Sequence, residues 1–101
     1  MRIVVFFDLP TETYIDQKEY RLFHKFLIND GFAMMQESVY CKLALNTSVA
    51  KSQIKRLREH KPRKGNVEIL TITEKQFSQI EYLVGGKQTK TEDSEERLIV
   101  L

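Results

Sequence analysis

The sequence predicts an α+β fold built as strand, helix, strand, strand, helix, strand, on three observations. Residues 2–10 read RIVVFFDLP, a near-continuous apolar run that ends in an acid and a proline. Two later stretches, around 38–45 and 67–73, are also strand-like: the first alternates with a period of two, and the second is mostly β-branched. Segments of helical periodicity separate the strands. The order βαββαβ is the ferredoxin-like arrangement, an antiparallel sheet with two helices on one face. A short extra helix and a C-terminal strand follow it.

The first strand is apolar on both faces, as a central strand is. Pro10 cannot join a ladder and disfavours helix at Leu9, so the strand stops there and Asp8 lies at its carboxyl end. Thr11 and Thr13 offer helix N-caps, with Asp16 in the first turn. The first helix is predicted over Thr13–Asn29, with Gly31 as its stop. Its apolar arc is Ile15, Tyr20, Leu22, Phe23, Phe26 and Leu27, and Lys18, Arg21 and Lys25 line the other side.

Phe32–Gln36 and Ser38–Leu45 form a predicted hairpin. Val39, Cys41, Leu43 and Leu45 alternate with Tyr40, Lys42 and Ala44, and the first set reads as the buried face. A second helix is predicted over Ser48–His60, with Ala50, Ile54 and Leu57 as its seam and Lys51, Lys55 and Arg58 as a basic stripe. The loop Lys61–Asn66, KPRKGN, adds Arg63 and Lys64. After the strand Val67–Thr73, Thr73 and Gln76 make a capping box for a third helix. Phe77, Ile80 and Val84 mark its inner face, and it is expected to stop at Gly85-Gly86. In domain terms, residues 1–84 form the ferredoxin-like unit, 85–96 a polar linker, and Arg97, Leu98, Ile99, Val100 and Leu101 a terminal strand. That apolar strand needs a sheet edge, its own or a partner's.

Composition bounds function. With 101 residues, 42% hydrophobic and 30% charged, the chain is one small globular domain, and its net charge of +2 creates no strong overall field. The single Cys41 excludes an internal disulfide, and no Cys/His cluster has zinc spacing. No apolar stretch is long enough for a membrane span and the N-terminal residues show no h-region followed by a small-residue cleavage site, so the expected compartment is the reduced cytoplasm. His24 and His60 belong to no Ser/His or Cys/His motif. Asp8 has two readings. It caps the Leu9–Thr11 turn, which spacing alone favours, or it holds a hard cation together with its copy across a dyad. The helix stripes and the 61–66 loop suit phosphate-backbone contact without base reading.

Phe7-Asp8-Leu9-Pro10, then Tyr20-Arg21-Leu22-Phe23-His24-Lys25-Phe26-Leu27, Gly31-Phe32, Gln36-Glu37-Ser38-Val39-Tyr40 and Lys64-Gly65-Asn66 occur in one order along the chain. Together they resemble the small ferredoxin-fold family of CRISPR spacer acquisition, the non-catalytic partner of the CRISPR integrase, whose members are often called CRISPR-associated endoribonucleases. The likeness covers nearly the whole chain and is greatest to the version found with single-effector, DNA-targeting systems. It implies a homodimer whose strands 97–101 extend the neighbouring sheet, flanked by two integrase dimers and holding double-stranded prespacer DNA by its backbone. It also implies that Asp8 is the family's acid, facing its copy and binding Mg2+. The alternative it carries is a magnesium-dependent endonuclease, with Asp8 as catalytic residue, acting on single-stranded RNA or double-stranded DNA. Arg21 matches the family's basic helix position. Many members carry Tyr before the acid; Phe7 here implies loss of a hydroxyl beside the metal.

Overall fold

The computed structural model describes residues 1–86. In it a four-stranded antiparallel sheet of order β2-β3-β1-β4 carries two helices on one face. The strands are β1 (Arg2–Asp8), β2 (Ala33–Gln36), β3 (Val39–Leu43) and β4 (Asn66–Ile72); the helices are α1 (Tyr14–Asn29), α2 (Thr47–Glu59) and the short α3 (Glu74–Ser78). This is the ferredoxin-like order, with β1 central between β3 and β4. Most of the linker and the strand Arg97–Leu101 lie outside the described residues.

Local chemistry fixes the helix ends. The Thr13 hydroxyl accepts from the Asp16 amide at 3.0 Å, and the Asp16 carboxylate accepts from the Thr13 amide at 3.3 Å. At the other end of α1 the Phe32 amide donates to the Leu27 carbonyl at 2.9 Å and the Gly31 amide to that of Ile28 at 3.1 Å, with Gly31 at φ +94°. That is a Schellman ending, and Leu27 and Phe32 meet in the core. Asn46 caps α2 through the Val49 amide, and Thr73 and Gln76 cap α3 reciprocally.

Strand alternation then divides the molecule. Ile3, Val5 and Phe7 of β1 face the helices with Tyr40 and Ala44, against Phe23 and Leu27 of α1 and Ala50 and Leu57 of α2. The Phe7 ring meets Phe23 edge-on at 5.3 Å and stacks on Tyr40 at 5.7 Å. Two expectations change here. The covered face of β3 is that of Tyr40, Lys42 and Ala44, while Leu43 and Leu45 are exposed. In α1, Ile15 and Leu22 are exposed, so Asp16, Phe23 and Leu27 make the buried line.

On the opposite face of the sheet, Val4 and Cys41 are buried. Arg2 lies above them, its guanidinium 4.1 Å from the centre of the Phe77 ring and bonded to both Glu74 oxygens at 2.7 and 3.0 Å. The helix α3 ends at Ser78, earlier than its pattern predicts, and Ile80 and Val84 are exposed.

The C-cap of α1 is also a junction. Its Asp30 carbonyl accepts from the Lys42 ammonium, and its carboxylate accepts from Gln53 and Arg56, joining α1, β3 and α2. Burial alone would raise the Asp30 carboxyl, but hydrogen bonds from Arg56 and Gln53 and the charges of Arg56 and Lys42 hold it below its ordinary value. A carboxyl depressed in the folded state stabilises above its unfolded pKa and loses that contribution as pH falls through the folded pKa. Wild-type melting temperature is therefore expected to drop more steeply than that of Asp30→Asn once pH falls below about 4. Thermal scans of both proteins from neutral to strongly acid pH check this, and parallel curves would refute it.

Candidate nucleic-acid interface

Lys18, Arg21 and Lys25 are all exposed. At about 100° per residue they point away from the line of Asp16, Phe23 and Leu27 that faces the sheet. On α2 the buried line is Ala50, Gln53 and Leu57, and exposed Lys51, Lys55 and Arg58 lie on the flank away from Arg56. Arg56 instead pairs with Asp30. The structure thus places both stripes on the helical layer, turned away from the sheet.

The loop between α2 and β4 folds against α1. The Arg63 amide donates to Glu19 at 3.3 Å, and the His60 ring stacks on Phe26 at 4.2 Å. The Arg63 guanidinium lies 3.8 Å from Glu19 and the Lys64 ammonium 3.8 Å from Asp16. Both cationic side chains stay 74% exposed, so these long pairs hold them loosely and leave the charges open to a phosphate.

Asp8 lies elsewhere. It shares strand parity with Arg2, Val4 and Phe6, is exposed, and stands opposite Asn66 on β4. The shallow depression there is lined by Phe6, Phe7, Asp8, Ser38, Val39, Asn66 and Glu68. Glu68 pairs with Phe6 in register, so it shares this face with Asp8. Gly65 holds the strand end: at φ +87°, a Cβ there would come within 2.6 Å of the Asp8 carbonyl oxygen. Phe7 points the other way, into the core. A tyrosine hydroxyl at position 7 would therefore start from the helix-covered face, not beside Asp8, which corrects the expectation of a lost metal-side hydroxyl.

Among the described residues no three or more His, Cys, Asp or Glu side chains form a group that could hold a metal. One chain supplies the Asp8 carboxylate, with the Asn66 side chain opposite and Glu68 on the same face. Oxygen donors of this kind fit Mg2+, which keeps several waters and takes one or two carboxylates.

Pattern reading missed Asn66 and Glu68, although the parity of β4 counted from Asp8 could have found Glu68. It also missed a half-buried pair: the Tyr40 hydroxyl lies 2.6 Å from Nδ1 of His24. Burial, with a smaller contribution from Tyr20, pushes the Tyr40 phenol up.

Comparison with known proteins adds to this geometry. Residues 1–80 match the family model described as CRISPR associated protein Cas2. The chain is similar to the CRISPR-associated endoribonuclease Cas2 of Streptococcus mutans serotype c, at 48% identity over 100% of this chain and 93% of that protein. It is 46% identical to that of Treponema denticola, over the whole of both chains. The crystal structure of Streptococcus pyogenes Cas2 at pH 6.5 shares its fold, with a TM-score of 0.62 at 20% identity over 83% of this chain and 100% of that one.

Proposed function

The chain belongs to the Cas2 family of CRISPR-associated proteins, and from that premise we propose that it is a double-stranded DNA-binding scaffold of CRISPR adaptation. The observation that carries this reading is the outward-facing rows of exposed cations on α1 and α2. Exposed cations of α1 and α2 point outward from the helical layer, and the acid Asp8 sits on the opposite side of the sheet. A duplex lying on the helices meets cations, and phosphate contacts position it without reading bases. In this reading the protein works as a homodimer between integrase dimers, and the dimer sets where the prespacer is held.

Asp8 supports a second reading, a magnesium-dependent endonuclease, in keeping with the name its relatives carry. Here Asp8 and its copy in a second chain would hold Mg2+, and the ion would supply an activated water. The side chain is exposed at a strand end, held in place by the close approach of Gly65 to its backbone.

The two readings separate on one substitution. Reconstituted with the integrase, Asp8→Ala is expected to support spacer insertion at the wild-type rate, measured as integrated product on a labelled prespacer. Loss of insertion in a variant whose fold is intact by circular dichroism would overturn the scaffold and favour an essential metal site.

A further inference from the structure

The His24–Tyr40 pair fixes a proton on a ring that borders the α1 cation stripe. Tyr40 is 1% exposed, and its ring is packed against Phe7. A buried hydroxyl needs an acceptor, and among the described residues Nδ1 of His24, at 2.6 Å, is the only side-chain atom bonded to it. If Nδ1 carried the proton, the phenol would accept and its own O–H would be left without a partner inside the core. The phenol therefore donates, Nδ1 accepts, and the neutral imidazole holds its proton on Nε2.

The two nitrogens lie on different edges of the imidazole, so with Nδ1 on Tyr40, Nε2–H is directed away from that hydroxyl. His24 is half-buried, and no protein group among the described residues accepts from Nε2. Along α1 it follows Arg21 by three residues and immediately precedes Lys25, between the covered line and the cation stripe.

We infer that His24 is an uncharged phosphate ligand at the border of the α1 stripe, donating Nε2–H to the backbone of bound DNA, with Tyr40 as its positioning residue. This rests on the DNA-binding reading above. A neutral donor displaces no counterion, so its contribution appears in affinity and not in the salt dependence that Lys and Arg produce.

The test uses the full chain, a duplex of mixed sequence and a pH well above the ordinary histidine range. Removing His24 from the wild type would also orphan the Tyr40 hydroxyl, so the comparison is the wild type against Tyr40→Phe/His24→Ala, with Tyr40→Phe alone, which frees the ring, expected to fall between them. The double variant is expected to bind about two- to tenfold more weakly, the effect of one hydrogen bond, with an unchanged slope of log affinity against log salt. Equal affinities would overturn the inference, and so would a weaker affinity with a flattened slope, which would mean that the neighbouring cations had been displaced. Arg21→Glu/Lys55→Glu keeps the two levels apart. If that variant loses affinity while the His24 comparison shows none, only the inference fails. If it binds as the wild type does, the DNA-binding reading fails with it.

Discussion

Affinity for duplex DNA is expected to fall about a hundredfold at physiological salt when Arg21→Glu and Lys55→Glu are combined. Both side chains are exposed on the helical layer, and neither has an ion-pair partner among the described residues. Reversing them removes two phosphate contacts and adds repulsion at the same points. Each neutralised phosphate contributes about 0.9 to the slope of log affinity against log salt, so that slope should flatten by about 1.8 for each chain that engages the duplex. Folding should change little, because exposed surface charges contribute little to stability. Arg56→Glu is the contrasting variant. Its partner is the nearly buried Asp30, so it should lower the melting temperature more than Arg21→Glu does. Titrations of labelled duplex over a range of salt check the first result. Unchanged affinity and slope would place the DNA elsewhere on the protein.

Gly65→Ala is expected to destabilise the fold by about 2–4 kcal/mol and to loosen the end of β1. Two costs add. Gly65 has φ +87°, where an L-residue is strained, and the new Cβ would meet the Asp8 carbonyl oxygen at 2.6 Å and Leu9 Cα at 3.1 Å. Leu9 Cδ2, at 2.8 Å, can turn aside, but the Asp8 carbonyl oxygen is backbone and cannot. Gly85→Ala separates the two costs, because Gly85 has φ +75° but nothing within 4 Å of an added Cβ. It should cost only about 1 kcal/mol, the conformational part. Thermal melts of both variants, with hydrogen exchange at Leu9, measure the difference. Equal destabilisation would show that the approach of the loop to β1 contributes nothing.

Local rules were legible wherever one residue and its near neighbours decide the outcome. Thr13 with Asp16, Gly31, and Thr73 with Gln76 all act at the ends their chemistry marks. The sheet order follows from the alternation of elements. The covered face of β3 was not legible, because both of its residue sets look tolerably apolar. Tyr40 is amphipathic and keeps its hydroxyl on His24, and Lys42 runs its stem beneath the helices to reach Asp30 and Gln53. Leu43 and Leu45, the more apolar pair, stay outside. The Asp30 junction joins residues 11 to 26 apart in sequence, through contacts that exist only once both helices have docked. At the candidate site the cation stripes were legible from helical spacing alone. The direction of Phe7 was not legible, because β1 is apolar on both faces.

The opposite facings of Phe7 and Asp8 also decide what the acid can do to a bound duplex. The cation stripe of α1 lies across a helix from the sheet, about 10 Å of protein by helix diameter alone, and Asp8 is beyond the sheet as well. The Debye length at physiological salt is about 8 Å, so the carboxylate and a phosphate on the helices are largely screened from each other. On the two proposed readings, changing or metallating the acid leaves phosphate binding on the helices unchanged, and remodelling the cations leaves the acid unchanged. One small sheet thereby separates the two proposed roles, so that a substitution at either can be read without the other.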